Sequence, residues 1–142
     1  MKSEMKSVSV KTQSKREMLN LTTTLDDAIG ASGIREGIVG IYSQHTTASL
    51  FVSEFQPALI DDVAEFLQRV VDEDLPYRHN CPELSDCERK NAASHLRSLL
   101  LNHSILLPVA QGKAVLGQFQ SVILAELDGP RDRTLQVQVL GQ

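Results

Sequence analysis

Little in this chain announces a chemistry on sight. It has two cysteines in 142 residues, Cys81 and Cys87, both in the polar stretch HNCPELSDCERK. Two thiols cannot build a disulfide framework in a chain of this length, and their spacing is not that of paired zinc ligands, so reduced thiols are expected. No run approaches the ~20 apolar residues needed to span a bilayer. The opening MKSEMKSVSVKTQ carries lysines without the continuous apolar segment of a signal peptide. A soluble cytoplasmic protein with no membrane partner is the expectation. Basic excess is also lacking, since 14 Lys plus Arg stand against 18 Asp plus Glu for a net charge of −4. With no basic stripe interleaved with aromatics, nucleic acid is an unfavourable partner. There is no G-x-x-x-x-G-K-[ST] loop, and Gly112 and Gly117 do not form G-x-G-x-x-G. Ser49 and Ser53 lie in an apolar strand without a nucleophile-elbow signature.

What is present is an ordinary folding composition, 42% hydrophobic and 23% charged, with no repeat, low-complexity segment or linker. One domain over residues 1–142 follows. KSVSVK alternates and predicts an opening strand, with a second around KREMLNL. TTTLDDAIGASG places Thr24 before Leu25 and Asp27 three residues on, with Gly33 as a stop, which predicts a short helix. REGIVGIYSQH and TTASLFVSE are β-rich and so close in sequence that an antiparallel pair is expected. Pro57 suits the first turn of a helix whose Leu59, Val63, Phe66, Leu67 and Val70 recur at helical spacing. A polar loop, DEDLPYRHNCPELSDC, precedes a second helix around ERKNAASHLRSLLLN, with Leu96, Leu99 and Leu100 expected to pack inward. The last third reads as strands: ILLPVA, a turn at Gln111 and Gly112, KAVLGQF, SVILAELDG and TLQVQVL. Strands, helices and then several strands in a row favour an α+β fold with helices covering a largely antiparallel sheet system.

The stretch QHTTASLFVSEF joins an apolar strand to polar ends, with His45, Thr46 and Thr47 before it and Glu54 after it. His45, His79 and His95 come from three separate segments, and their convergence would suit metal binding or proton transfer. Asn91 and His95 are four residues apart and share a helix face. His103, just past that helix, has an ordinary explanation in the helix dipole. Glu54 and Asp62 could orient a histidine, hold Mg²⁺ or act as general base; Asp62 could equally be a favourable charge near a helix N-terminus. DGPRDR is a Gly-Pro turn carrying Arg131 and Arg133, whose guanidinium groups could hold phosphate through paired hydrogen bonds; solvated turn arginines are the plainer alternative.

The order HTTASLFVSE, DDVAEFL, YRHN, NAASHL, PVAQGKAVLGQFQ and ELDGPRDR resembles the YjbQ-like family over nearly the whole chain. The resemblance implies a two-sheet β-sandwich with helices packed against it, assembled as a homotrimer. It further implies an enzyme acting on phosphorylated small molecules, with secondary thiamine-phosphate synthase activity as the concrete form. In that transfer a hydroxymethylpyrimidine diphosphate loses pyrophosphate as a thiazole nitrogen attacks its methylene carbon. The motifs carry over His45, Glu54, Asp62, Asn91 and Gln120 as catalytic candidates, and Thr46, Thr47, Asp128, Arg131 and Arg133 as substrate-binding ones. His45, His79 and His95 would be ligands for a divalent metal, zinc or magnesium. The alternatives are a non-catalytic protein that binds a metal or a phosphorylated ligand, and a metal-dependent hydrolase. The chain departs from the family pattern at Phe55, where Asn is common, at Phe119, where Trp is common, and at His103, where Gly is usual.

Overall fold

The computed structural model describes residues 1–142 throughout. Eight strands and three helices run in the order β1 (Lys2–Lys11), β2 (Glu17–Asn20), α1 (Thr22–Ser32), β3 (Gly37–Ser43), β4 (Ala48–Ser53), α2 (Pro57–Val70), α3 (Ala92–Leu99), β5 (Ser104–Ala110), β6 (Lys113–Ala114), β7 (Ser121–Glu126) and β8 (Asp132–Gly141), with one 3₁₀ turn at Arg78–Asn80. Five strands form one sheet in the order β1-β8-β3-β5-β6, and three form a second in the order β2-β7-β4. Every pairing is antiparallel. The expected α+β fold is present. No helix is long and apolar enough to cross a membrane.

The main core lies between the sheets. The larger sheet contributes Val39, Ile41, Leu135, Val137 and Val139, the smaller Ala48, Leu50, Val122 and Leu124, and α1 contributes Leu25, Ala28 and Ile29. Each large apolar side chain withdrawn there contributes about 1.5–3 kcal/mol. A second cluster, Phe51, Ile123, Ala125 and Leu127 with Leu67 of α2, occupies the outer face of the smaller sheet. β4 and β7 are therefore covered on both faces, and their sequences ASLFVS and SVILAE read as nearly continuous apolar runs. β8 has one face in the core and alternates instead, burying Arg133, Leu135, Val137 and Val139.

Three of the sequence-based expectations are corrected in the first half of the chain. β3 and β4 do not pair; they belong to different sheets, and Gln44–Thr47 carries the chain across. α1 begins at Thr22, where Asn20 Oδ1 accepts from the Thr22 N–H at 3.0 Å, so Thr24 is inside the helix rather than its cap. Gly33 ends that helix at φ 73°, as expected. α2 packs through Ile60, Val63 and Leu67, leaving Phe66 and Val70 exposed, because the sheet meets a stripe rotated from the expected one.

α3 is turned further still. Leu96, Leu99 and Leu100 face outward, with Leu99 71% exposed, while Ala93, Ser94, Arg97 and Ser98 face in. Small hydroxyl side chains let the helix lie close on the smaller sheet and bond its backbone. The Ser49 hydroxyl donates to Ser98 O at 3.1 Å and the Ser94 hydroxyl to Leu127 O at 2.7 Å. Arg97, buried, donates to Glu73 Oε2 at 2.7 Å and to Val71 O at 2.8 Å. The last-third strands fall where expected, except that KAVLGQF yields only the two-residue β6. Gln111 and Gly112, at φ 54° and 79°, make the tight turn before it.

Candidate functional site

Two crossings between the sheets lie side by side. One is Gln44–Thr47, linking β3 to β4; the other is Leu127–Arg131, linking β7 to β8. Ala48 pairs with Glu126, so the crossings share one end of the smaller sheet. The Leu127 N–H donates to Thr47 O at 3.1 Å and ties them together. The Ser43 hydroxyl tightens the first by donating to Ala48 O at 2.7 Å. His45 leaves this turn toward β8, where its Nε2 accepts from the Thr134 N–H at 2.9 Å. That nitrogen must be unprotonated to accept.

Behind His45 sits a closed ion pair. Glu126 is 0% and Arg133 1% exposed. Arg133 Nε donates to Glu126 Oε1 at 2.9 Å, and its Nη2 donates to Glu126 Oε2 and to Thr47 Oγ1, the latter at 3.0 Å. The Thr12 hydroxyl donates to Glu126 Oε1 at 2.7 Å and accepts from the Arg131 N–H at 2.8 Å. Burial alone would raise the Glu126 carboxyl, but the Arg133 and Thr12 hydrogen bonds outweigh it and hold it below the usual range. Such a pair is retained only when its hydrogen bonds are met, and here they are.

In front, Asp128 gathers donors from three segments. Its Oδ2 accepts from Asn91 Nδ2 at 2.7 Å, Arg89 Nε at 2.8 Å and Arg131 Nη2 at 3.2 Å. Its backbone carbonyl accepts from Arg89 Nη2 at 3.0 Å and Arg131 Nε at 3.1 Å. Burial works against ionisation, yet the Arg89 and Asn91 hydrogen bonds and the two guanidinium charges prevail, and the Asp128 carboxyl is lowered. Because Asn91 directs its amide N–H₂ at Asp128, its Oδ1 faces His79, whose Nε2 donates to it at 3.0 Å. His95 stands edge-on to His79 with ring centroids 4.9 Å apart. The two imidazoles border a cleft of about 310 Å³, with Tyr77, Arg78, Ala92 and Leu96 as the other walls.

His45 and His95 are both shifted toward neutrality. For His45 burial is the main cause, followed by the Arg133 charge. For His95 it is burial and then the neighbouring His79, with Arg131 acting the same way and Asp128 opposing. Arg131 thus acts electrostatically on both rings. At neutral pH the site offers uncharged imidazoles beside fixed guanidinium groups.

The fold brings together most, but not all, of the residues expected from sequence. Thr47, His79, Asn91, Asp128 and Arg131 lie in the two connected networks, His95 stands against His79, His45 is tied to Thr134 next to Arg133, and Thr46 is exposed in the turn. Glu54 and Gln120 do not join them. β4 and β7 run antiparallel from Ala48↔Glu126 to Ser53↔Ser121, and Glu54 and Gln120 lie just past that far end, about 16 Å of strand away. There Gln120 Oε1 accepts from the Gly117 N–H at 2.8 Å. Asp62 is exposed on α2 and makes no ion pair or side-chain hydrogen bond. Arg133 is corrected from a ligand-binding arginine to the buried partner of Glu126. The inward-facing positions of β8 point into the core and Arg133 is the first of them, whereas Arg131 lies in the turn before the strand begins at Asp132.

The three histidines do not form a ready-made metal centre within one chain. No group of three or more His, Cys, Asp or Glu stands close enough to hold an ion. His45 and His79 each commit a ring nitrogen to protein, and Asp128 Oδ2 and both Glu126 oxygens are occupied by donors. Within one chain the remaining donors do not make up the shell of a tetrahedral zinc or an octahedral magnesium. Both cysteines are free, as expected.

Sequence reasoning missed Thr12, Glu126 and Arg89. Glu126 had a signal, a carboxylate closing the otherwise apolar SVILAEL, which demands a buried partner. Arg89 in the polar loop had none.

Residues 6–142 match the family described as UPF0047 protein YjbQ-like. A UPF0047 protein of Methanothermobacter thermautotrophicus is 37% identical, the match covering 94% of this chain and 89% of that one. The UPF0047 protein YugU of Bacillus subtilis is 31% identical over 96% of this chain and 99% of its own. Among solved structures, a protein of unknown function from Sulfolobus solfataricus superposes with a TM-score of 0.90 at 30% identity, covering 99% of both chains. A hypothetical protein from Aeropyrum pernix does so with a TM-score of 0.87 at 32% identity, over 98% of this chain and 99% of that one.

Proposed function

The chain belongs to the UPF0047 YjbQ-like family, and from that premise and the site geometry we propose that it is a cytoplasmic enzyme acting on phosphorylated small molecules. Group transfer of the thiamine-phosphate synthase kind is its concrete form. The observation that carries the reading is the Arg131 guanidinium anchored on Asp128, which Asn91 joins to His79, beside an open cleft lined by His79 and His95. In a transfer of this class a C–O bond to a departing diphosphate breaks as a C–N bond forms at the same carbon. Arg131 offsets the charge gathering on the leaving oxygens. His95, neutral, donates a hydrogen bond or accepts a proton, and Asp128 and Asn91 hold Arg131 and His79 in place. No step runs through a metal.

A homotrimer belongs to the same proposal. Its support on this chain is the outward row Leu96, Leu99 and Leu100 with Phe66 and Val70, an apolar exposure that a subunit contact would cover.

Incubation with a hydroxymethylpyrimidine diphosphate and a thiazole phosphate, followed by product analysis, tests the enzymatic reading. Pyrophosphate release with formation of the coupled product is expected, with loss in Arg131→Gln and His95→Gln. Binding without turnover of any phosphorylated metabolite would favour the second reading, a non-catalytic binding protein. That alternative has its own support: the carboxylates of Asp128 and Glu126 are engaged by donors, so neither stands free as a general base.

A further inference from the structure

The polar loop supplies an arginine that the motifs do not include. Arg89 reaches Asp128 from one side and Arg131 from the other, both through the same Oδ2 and the same backbone carbonyl. Their donor nitrogens lie 2.8 and 3.2 Å from that oxygen, and so within about 6 Å of each other. Two like charges are held this close because one buried carboxylate neutralises half of the pair. A surplus of one positive charge remains on this side of Asn91, which joins Asp128 to His79. A guanidinium carries five N–H donors. Each of these spends Nε and Nη2 on Asp128, and Nη1 of each has no protein acceptor. Arg89 is 47% and Arg131 36% exposed, so those donors reach solvent. Asp128 itself is nearly inaccessible. It works as the pivot that spaces the two forks rather than as a group a ligand would meet.

We infer that Arg89 and Arg131 form a two-armed clamp for a dianionic phosphoryl group, and that Arg89 is the residue that sets the preference for a doubly over a singly charged ligand. The inference rests on the reading that this site takes a phosphorylated molecule. The chemistry is that of forked donors against several phosphate oxygens, where one guanidinium satisfies one face and a second charge rewards the second negative charge. Arg131 is held on a short turn between two strands. Arg89 comes from an irregular segment, next to Lys90 at φ 52°, and its two bonds to Asp128 join that of Asn91 in docking the segment on the sheets. A ligand bridging the two Nη1 groups would add contacts without breaking those bonds.

The test is calorimetric titration of the whole protein with inorganic phosphate and with dimethyl phosphate, which carries a single charge. Wild type should bind phosphate at least about tenfold more tightly than dimethyl phosphate. Arg89→Gln should weaken phosphate binding roughly tenfold and leave dimethyl phosphate nearly unchanged, since a charge-assisted hydrogen bond is worth a factor of this order. Arg89→Lys should recover part of the loss. Lys90→Gln removes the same charge from the same segment and should alter neither titration. Should Arg89→Gln fold poorly, the Arg Nε signals of the wild type followed by ¹⁵N NMR during phosphate titration give an independent readout, with Arg89 and Arg131 expected to shift together. If Arg131→Gln weakens phosphate binding while Arg89→Gln does not, the clamp is wrong and the phosphorylated-ligand reading stands. If Lys90→Gln loses as much as Arg89→Gln, general charge rather than the clamp is responsible. If wild type binds no phosphate, both proposals fall.

Discussion

Breaking the Glu126 and Arg133 pair offers the sharpest test of how this end of the molecule is built. In Arg133→Met the carboxylate of Glu126 keeps the Thr12 hydroxyl and the Asp128 N–H but loses both guanidinium contacts, while Thr47 Oγ1 loses a donor. Glu126 has no access to water that could replace them. Removing one partner of such a pair costs about 3–5 kcal/mol, mostly from the charge left behind. For a chain of this size that is a fall in melting temperature of roughly 10–20 °C. Urea unfolding at fixed protein concentration, followed by circular dichroism, measures it directly. Replacing both partners, as Glu126→Leu with Arg133→Met, removes the stranded charge and should recover most of the loss. A cost below about 1 kcal/mol for the single change, with unaltered denaturant slope, would refute the account. It would return Arg133 to the role of a solvated turn arginine.

Other outcomes follow from the same geometry. His45 and His95 have lowered pKa values when folded, so below about pH 6.5 the unfolded chain binds more protons and stability should fall as pH falls toward the folded values. Glu73, Glu126 and Asp128, also lowered, should add a second loss as pH drops below their unfolded range near 4; urea midpoints that stay flat from pH 7 to 3 would contradict both. Chelator treatment should leave phosphate affinity unchanged, because the guanidinium donors held on Asp128 need no ion to bind it; a loss restored by added zinc would place a metal at the site. Gly129→Ala should be severely destabilising, since a Cβ there would overlap Ser14 O and lie 2.9 Å from Glu126 Cδ; wild-type thermal stability would disprove that packing. Light scattering at several concentrations should report a trimer that Leu99→Lys weakens, and a wild-type monomer at every concentration would defeat the assembly.

Local pattern was legible where one force dominates. The alternation of β8, the Pro57 helix start, the Gly33 stop and the Gln111-Gly112 turn follow from periodicity and backbone preference, and the structure bears them out. The errors came where a choice between partners decides. Nothing local tells whether IVGIYS and SLFVSE pair with each other or with distant strands, and the answer depended on β7, some seventy residues on. Hydrophobicity alone assigns the leucines of α3 inward, whereas the hydroxyls of Ser94 and Ser98, bonded to Leu127 O and the Ser49 hydroxyl, bring the helix closer to the sheet than leucines would allow. For the site, the motif residues were recognisable but their register was not. Glu54 and His45 share one short stretch of sequence and lie at opposite ends of one strand.

The two sheet crossings set how this site can move. His45 is attached to the larger sheet through Thr134, whereas Asp128 and Asn91 are attached to the smaller sheet and the helix upon it. The gap between the histidine and the arginine side therefore follows the register of one sheet over the other, which the buried Glu126 and Arg133 pair, reaching from β7 to β8, pins from behind. A ligand held from both sides would add a second brace to that register. Its signature is slower amide exchange at Leu127 and Thr134, whose N–H groups stitch the crossings together, even though neither residue need touch the ligand.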